Sequence, residues 1–336
     1  MTDYYRPIPM HDPARPDGAA PLAGGWGWFT HAARMTRGGE TSLVPVAEIP
    51  DPVRARLVAP RGALAGLDWR APRVMGILNV TPDSFSDGGQ FLGRDAALAQ
   101  ARRLVAEGAD ILDIGGESTR PGAAEVSETE EIARTVPVIE TLAPDLAVPI
   151  SIDTRKAAVG RAALDAGAAM LNDVSALGYD AGMGALAAET GVPVCLMHAQ
   201  GDPATMQVAP AYDDVLFDVY DYLEDRLRAA EAFGIRRENV ILDVGIGFGK
   251  TLEHNLRLLR HLSLFHALGC VLMLGASRKK FIGTLGDAPD AADRVAGSVA
   301  VALEGAAQGV QILRVHDMKD TKQALRLAGA IRGERW

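Results

Sequence analysis

Cysteine, aromatic residues and positive charge are all scarce in this chain of 336 residues. Its two cysteines, Cys195 and Cys270, lie far apart inside apolar runs, which argues against a disulfide framework and favours a reducing compartment. Aromatic residues make up 5% of the chain and hydrophobic residues 48%, so we expect an aliphatic core. The formal net charge of −9 argues against general affinity for nucleic acid or acidic membranes. Any anionic ligand must therefore be bound by a local cluster of basic side chains.

Targeting and membrane signals are also missing. The N-terminus lacks a basic segment followed by an apolar core, and no run reaches the roughly 18 apolar residues that a membrane span needs. We therefore expect a cytoplasmic protein without a membrane partner.

The first 71 residues differ in composition from the rest of the chain. They are rich in proline and glycine and hold three of the four tryptophans, Trp26, Trp28 and Trp69. The stretch GWGWFTHAARMTRGGETSLVPV alternates in hydrophobicity on both sides of Gly38 and Gly39. This pattern predicts an N-terminal extension, residues 1–71, with a small β-hairpin appended to a larger domain at residues 72–336.

From Arg73 onward, short apolar runs alternate with alanine-rich stretches of helical period. The strand-like runs are RVMGILNV, ADILDIGG, VPISIDT, AAMLNDVS, VPVCLMH, VILDVGIG, CVLMLGAS and VQILRVHD. Eight β/α repeats over roughly 260 residues predict an α/β fold of the (β/α)8 TIM-barrel type, with an active site at the C-terminal ends of the strands. A doubly wound open sheet with the same alternation is the alternative.

The predicted strands end in polar residues of two chemical kinds. Asp153, Asn172 and Asp243 offer hydrogen-bonding groups suited to a flat, nitrogen-rich heterocycle. A second set suits an anion: Arg278, Lys279, Arg314 and His316. The two sets together predict a ligand with a polar ring and a phosphate group.

The segment DVGIGFGKT resembles a phosphate-binding P-loop, because it follows an apolar strand and precedes a helix. The P-loop pattern, however, requires a glycine where Val244 stands. Asp243 is also poorly placed for a cradle of amides that binds phosphate, whereas it suits a heterocycle with N–H donors. The segment therefore favours heterocycle binding over a nucleoside triphosphatase.

Taken in order, the strand-end motifs resemble those of a known family. MGILNVTPDSFSDGG, DIGGESTRPGA, SIDT, NDVSAL, MH, GFGK, SRKKFIG and RVHD are similar to the motifs of bacterial dihydropteroate synthases of folate biosynthesis, over roughly residues 72–332. The resemblance implies a pterin-binding TIM barrel and a transferase. It would join 6-hydroxymethyl-7,8-dihydropterin diphosphate to 4-aminobenzoate, releasing diphosphate. It also implies a sulfonamide target.

The resemblance assigns roles residue by residue. The pterin would be held by Asp153, Asn172, Asp243 and Lys279. Diphosphate would be held by Asn79, Arg120, Arg314 and His316, with Asn79 as the protein ligand of a Mg2+ cofactor. The 4-aminobenzoate would contact Phe85, Thr119, Pro121, Phe248 and Lys280. The residues expected to act on the chemistry are Arg120, Lys279, Arg314 and His316.

The family also implies small-molecule substrates and a homodimer, and the net charge of −9 argues against a nucleic-acid partner. The chain departs from the common family pattern at Val244, Ile246 and Lys280, the last replacing a serine. Two other functions remain open, a related pterin-binding methyltransferase and a catalytically silent paralogue. STRPG and SRKK favour the synthase, because a methyltransferase needs no diphosphate ligands.

Overall fold

The computed structural model describes residues 2–81, 90–118, 125–201, 206–334 and 336. Before residue 72, its elements are β1 (Asp3–Pro7), β2 (Ala20–Pro21), β3 (Trp28–Phe29), β4 (His31–Thr36), β5 (Ser42–Pro45) and α1 (Asp51–Val58). The hairpin predicted around Gly38 and Gly39 is confirmed, since β4 and β5 pair antiparallel with Arg34 opposite Ser42. It belongs to a larger unit than predicted, because β1 pairs with β4 to complete a three-stranded sheet.

Among the described residues beyond 72, eight strands form one closed parallel barrel. They are β6 (Arg73–Asn79), β7 (Ile111–Gly115), β8 (Ile150–Asp153), β9 (Met170–Asp173), β10 (Val194–Met197), β11 (Val240–Asp243), β12 (Val271–Leu274) and β13 (Ile312–Val315). Each lies within one of the eight apolar runs predicted to be strands. Because β13 pairs with β6, this sheet has no open edge. The TIM-barrel prediction is confirmed, and the open doubly wound sheet is wrong.

Helices follow the strands and cover the outside of the barrel. They are α2 (Gln90–Ala106), α3 (Glu128–Leu142), α4 (Ala157–Asp165), α5 (Ala181–Thr190), α6 (Val215–Ala232), α7 (Leu252–Arg260), α8 (Lys280–Leu285), α9 (Val295–Ala307) and α10 (Met318–Ile331). In the described ranges, no helix combines the length and hydrophobicity that crossing a membrane requires.

The barrel interior is apolar at its N-terminal end. A cluster there contains Met75, Ile111, Met170, Cys195, Ile241, Val271, Met273 and Ile312. Leu64 and Trp69, which precede the first barrel strand, belong to the same cluster and close this end of the barrel. Side chains two positions further along a strand face the same side. Ile111, Met170, Ile241 and Ile312 are therefore followed by Asp113, Asn172, Asp243 and Arg314 in the interior near the C-terminal end.

The extension packs directly onto the barrel helices. The ring of Tyr4 in β1 stacks on Phe217 of α6 with centroids 4.3 Å apart, and its hydroxyl donates to Asp221 at 2.9 Å. Buried extension residues, including Leu22 and Phe29, belong to the same hydrophobic cluster as the barrel helices. The domain division at residue 71 stays a prediction, and the two parts share one core.

Candidate active site

A buried polar cluster of Asp113, Asp153, Asn172 and Arg314 lies at the C-terminal end of the barrel interior. Arg314 donates through Nε to Asp113 Oδ2 at 2.6 Å and through Nη2 to Asp153 Oδ2 at 2.7 Å. Asn172 Nδ2 donates to the same Asp113 oxygen at 3.0 Å. The closed barrel creates this arrangement, since β13 brings Arg314 close to side chains of β7, β8 and β9. The cluster therefore contains two residues predicted to bind the pterin ring, Asp153 and Asn172, and one predicted to bind diphosphate, Arg314.

Asp243 and Lys279 form the opposite side of this site. Asp243 Oδ1 accepts the backbone N–H of Gly245 at 2.8 Å. Lys279 donates to the carbonyl of Ile246, and its Nζ lies 4.0 Å from the centroid of the Phe248 ring. The structure thus brings together Lys279, predicted for the pterin, and Phe248, predicted for 4-aminobenzoate.

Protonation at this site is governed by burial. Burial raises the pKa of Asp153 to about 7, an effect that the Arg314 cation opposes and the Asp113 carboxylate reinforces. Burial likewise raises the pKa of Asp243, which the bond from Gly245 and the charge of Lys279 oppose. Burial lowers the pKa of Lys279 to about 7, against the attraction of Asp243. The site therefore contains an acid and a base that change charge near neutral pH.

The glycine loop, residues 244–250, wraps around the side chain of Lys250. Lys250 Nζ donates to the carbonyls of Gly245 at 2.8 Å, Phe248 at 3.0 Å and His198 at 3.3 Å. It also lies 2.8 Å from His198 Nδ1, and burial lowers the pKa of His198 to about 2, which leaves that nitrogen able to accept. This lysine points at carbonyls, whereas the lysine of a P-loop reaches phosphate.

Two glycines of this loop are required by close approach. Gly245 has a φ of +66°, and a Cβ there would lie 1.9 Å from the carbonyl oxygen of His198. Gly247 has a φ of +82°, and a Cβ there would lie 2.9 Å from Lys279 Cδ. The loop can therefore pack against both the chain after β10 and the Lys279 side chain only because these positions lack side chains.

The predicted anion-binding residues lie at neighbouring strand ends. Asn79 is the last residue of β6 and is half-buried. His316 directly follows β13, where its backbone N–H donates to Ser277 Oγ at 3.2 Å and its Nδ1 lies 3.1 Å from the same oxygen. Arg278 is paired with Asp317, which occupies its guanidinium. Lys280 is exposed and is the first residue of α8.

Four predicted site residues lie outside the described residues: Phe85, Thr119, Arg120 and Pro121. Their roles stay predictions. The chain just after residues 119–124 is anchored by buried charges, since the N–H of Val126 donates to Glu117 at 2.9 Å and its carbonyl accepts from Lys156 Nζ at 2.6 Å. Lys156 also donates to the buried Glu131 at 2.7 Å.

The sequence-based prediction missed Asp113 and Lys250. Asp113 lies in the middle of the run ADILDIGG, so a search of strand ends passes over it. Its signal was a carboxylate two residues after the apolar Ile111, which places it on the same face of the strand as Ile111. Lys250 was considered only as part of a P-loop. The structure gives it a different role, holding the carbonyls of its own loop.

The barrel of this chain is similar to that of known proteins. A family described as "Pterin binding enzyme" matches residues 75–316, from within β6 to just beyond β13. The dihydropteroate synthase of Escherichia coli strain K12 is 49% identical over 264 residues, covering 79% of this chain and 93% of that relative. Two solved structures have TM-scores of 0.77 and 49% identity. The match to the Yersinia pestis dihydropteroate synthase with a sulfonamide drug covers 81% of this chain and 99% of the Yersinia pestis chain. The match to the Xanthomonas albilineans dihydropteroate synthase with 4-aminobenzoic acid covers 81% of this chain and 98% of the Xanthomonas albilineans chain.

Proposed function

The chain belongs to the pterin-binding enzyme family, and we propose that it is a dihydropteroate synthase of folate biosynthesis. This transferase condenses 6-hydroxymethyl-7,8-dihydropterin diphosphate with 4-aminobenzoate to give 7,8-dihydropteroate and diphosphate. The observation that carries the proposal is the convergence of Asp153, Asn172, Asp243 and Lys279 at one end of a closed barrel.

The pterin ring fits the acceptors that this end of the barrel offers. In this proposal, Asp153 and Asp243 accept N–H groups of the ring and its amino group, and Lys279 donates to a ring acceptor. Both carboxylates are buried, so a ring that lacks these donors leaves a buried acceptor unpaired, at a cost of roughly 1–3 kcal/mol for each group. The site thus selects its ring by the penalty on incorrect rings as well as by attraction.

The reaction displaces diphosphate from a CH2 group on an electron-rich ring, so charge develops on the leaving group. Arg314 and His316 lie at the end of β13, where we place the diphosphate, together with Arg120. Because the aniline nitrogen of 4-aminobenzoate is neutral at pH 7 and already nucleophilic, the step needs no strong base. The main contribution of the protein is to position both substrates and to stabilise the departing charge.

The 4-aminobenzoate lies beside Phe248 in this proposal, with its carboxylate near Lys280. Phe248 is held in place by the glycine loop and packs against Lys279. The same face would receive a sulfonamide, because that drug class mimics 4-aminobenzoate. Thr119, Pro121 and Phe85 complete the predicted contacts.

Mg2+ is part of the proposal as a cofactor that binds with diphosphate. Among the described residues, no group of three or more His, Cys, Asp or Glu side chains could hold a metal ion. Asn79 offers a hard carbonyl oxygen at the end of β6, and Mg2+ commonly keeps several waters and substrate phosphates as ligands. When bound, the ion would neutralise charge on diphosphate. Calorimetry should detect Mg2+ binding only when diphosphate is present, and Asn79→Ala should weaken it.

A homodimer is the assembly that we propose, with α9 as its interface. Ala296 and Ala300 lie one turn apart on this helix and are exposed, and small side chains allow two helices to approach closely. Sedimentation velocity should give a dimer for the wild type and a monomer for Ala300→Arg. A monomeric wild type would contradict this part of the proposal.

The cytoplasm is the compartment that we propose.

One assay separates the synthase from its two alternatives. Purified protein is given dihydropterin diphosphate, Mg2+ and 4-aminobenzoate, and diphosphate release is followed over time. A synthase releases diphosphate only when both substrates are present. A methyltransferase or a silent paralogue would bind a pterin without that release.

A further inference from the structure

Asp113 contacts the pterin site without being one of its predicted ligands. Its side chain is fully buried on the inward face of β7, and Oδ2 accepts from both Asn172 Nδ2 and Arg314 Nε. Its other oxygen, Oδ1, has no hydrogen-bond partner among the described residues. A buried carboxylate is costly, so one that binds two site residues at once needs an explanation.

The bond from Asn172 determines which end of that side-chain amide remains for a ligand. A carboxylate can only accept hydrogen bonds, so it takes the NH2 end of the amide. The amide oxygen, Asn172 Oδ1, is buried and finds no partner among the described residues. Rotating the amide by half a turn would place its oxygen against Asp113 Oδ2, which sets two acceptors against each other. Asp113 therefore fixes Asn172 as an acceptor.

Resting on the proposed function, we infer that Asp113 is a positioning residue that sets pterin specificity through Asn172 and Arg314. Asp113 orients the Asn172 amide, and it holds the guanidinium that also binds Asp153 Oδ2. Asp153, Asn172 and Asp243 then all present acceptors. A ring edge bearing an amino group and a ring N–H meets a matching partner at each position, whereas a carbonyl in place of the amino group meets another acceptor.

The test separates the hydrogen-bond acceptor of Asp113 from its charge. Asp113→Asn removes the charge but keeps an oxygen that can accept from Asn172 and Arg314. Asp113→Leu removes the acceptor at similar size, and Asp113→Ala removes it without adding apolar bulk beside Arg314. The probes are 6-hydroxymethylpterin and 6-hydroxymethyllumazine, which differ by an amino group replaced with a carbonyl. Calorimetry gives the dissociation constant of each probe, and thermal unfolding shows which variants are folded.

We expect Asp113→Leu and Asp113→Ala to bind the pterin roughly tenfold more weakly and to lose most of the preference over the lumazine. Asp113→Asn should stay within about threefold of the wild type in both measurements, because one retained acceptor preserves the amide orientation. Ser151→Ala is the matched control. Ser151 is the register partner of Asp113 in β8, is equally buried, and its hydroxyl bonds to none of the pocket side chains.

Folded Asp113→Ala protein that keeps the wild-type affinity and preference would overturn the inference. So would Asp113→Asn losing as much as Asp113→Ala, since charge rather than orientation would then be responsible. If Asp113→Leu fails to fold, the comparison of Asp113→Ala with Asp113→Asn decides the question. Wild-type protein that binds neither probe would instead count against the proposed function, so the two failures are distinguishable.

Discussion

Two groups of the site, Asp153 and Lys279, are expected to make pterin binding depend on pH. Burial raises the pKa of Asp153 to about 7, so this carboxylate gains a proton as the pH falls through that value. The protonated oxygen can no longer accept an N–H of the pterin ring. We expect the affinity for 6-hydroxymethylpterin to fall several-fold between pH 8 and about pH 6. Calorimetry at each pH measures this. Asp153→Asn should bind weakly with a flatter profile, and an equally flat wild-type profile would contradict the assignment.

Arg314 is predicted to contribute to stability as well as to turnover. It bonds to Asp113 and Asp153, so Arg314→Ala leaves two buried carboxylates without their cation, a loss of roughly 3–5 kcal/mol in the free energy of unfolding. Because the folded-state pKa of Asp153 is raised, protonation at lower pH relieves this cost. The fall in the thermal midpoint should therefore be larger at pH 8 than at about pH 6. A loss independent of pH would mean that Asp153 is not the group left unpaired.

At the residue level, the sequence identified polar side chains at or near the ends of strands and missed Asp113, which lies in the middle of β7. Asp153 and Asp243 each follow an apolar run, so the change from apolar to polar marks them. Asp113 has apolar neighbours on both sides, and only the two-residue alternation of the strand reveals its direction. The pairing of Arg314 with Asp113 joins strands about 200 positions apart in the chain. No local pattern encodes that distance, because it depends on closure of the barrel.

At the scale of elements, the glycine loop depends on Lys250. Lys250→Met removes the amino group that binds the carbonyls of His198, Gly245 and Phe248. We expect a loss of about 3 kcal/mol in stability, since buried carbonyls lose their donor. Weaker binding of 4-aminobenzoate should follow, because Phe248 would no longer be held in place. Chemical denaturation and calorimetry with diphosphate present measure the two effects.

Lys319→Met is the control for this loop prediction, because Lys319 is an exposed lysine of α10 and is not part of the loop. Its denaturation midpoint should match that of the wild type. If Lys250→Met matched the wild type as well, the loop would hold its shape without the lysine.

The strands and helices of the barrel were predictable because each is defined by its own segment. Runs such as VPVCLMH are short, apolar and followed by helical periodicity, so a local pattern is enough. The three-stranded sheet of the extension was only partly predicted. The hairpin of β4 and β5 joins neighbouring residues through a glycine turn. The pairing of β1 with β4 joins Asp3 to Thr36 across a segment that contains β2 and β3, so no local turn links the two strands.

At the scale of the whole molecule, the extension and the barrel should unfold together. Phe29 is fully buried in the cluster that also contains barrel helices, and Tyr4 stacks on α6. Differential scanning calorimetry should show one transition, and Phe29→Ala should lower its midpoint through a loss of roughly 3–5 kcal/mol. Leu43→Ala, at an exposed position of β5, should not shift it. A separate low-temperature transition would mean that the extension is an independent unit.

The most direct test of the account is product formation with isotope-labelled 4-aminobenzoate. Wild-type protein, Mg2+ and 6-hydroxymethyl-7,8-dihydropterin diphosphate are supplied, and labelled 7,8-dihydropteroate and diphosphate are quantified together. The account predicts one diphosphate for each labelled product, with Asp243→Asn losing product formation through a weaker hold on the pterin. Diphosphate released at the same rate without 4-aminobenzoate, or no labelled product from folded protein, would contradict it.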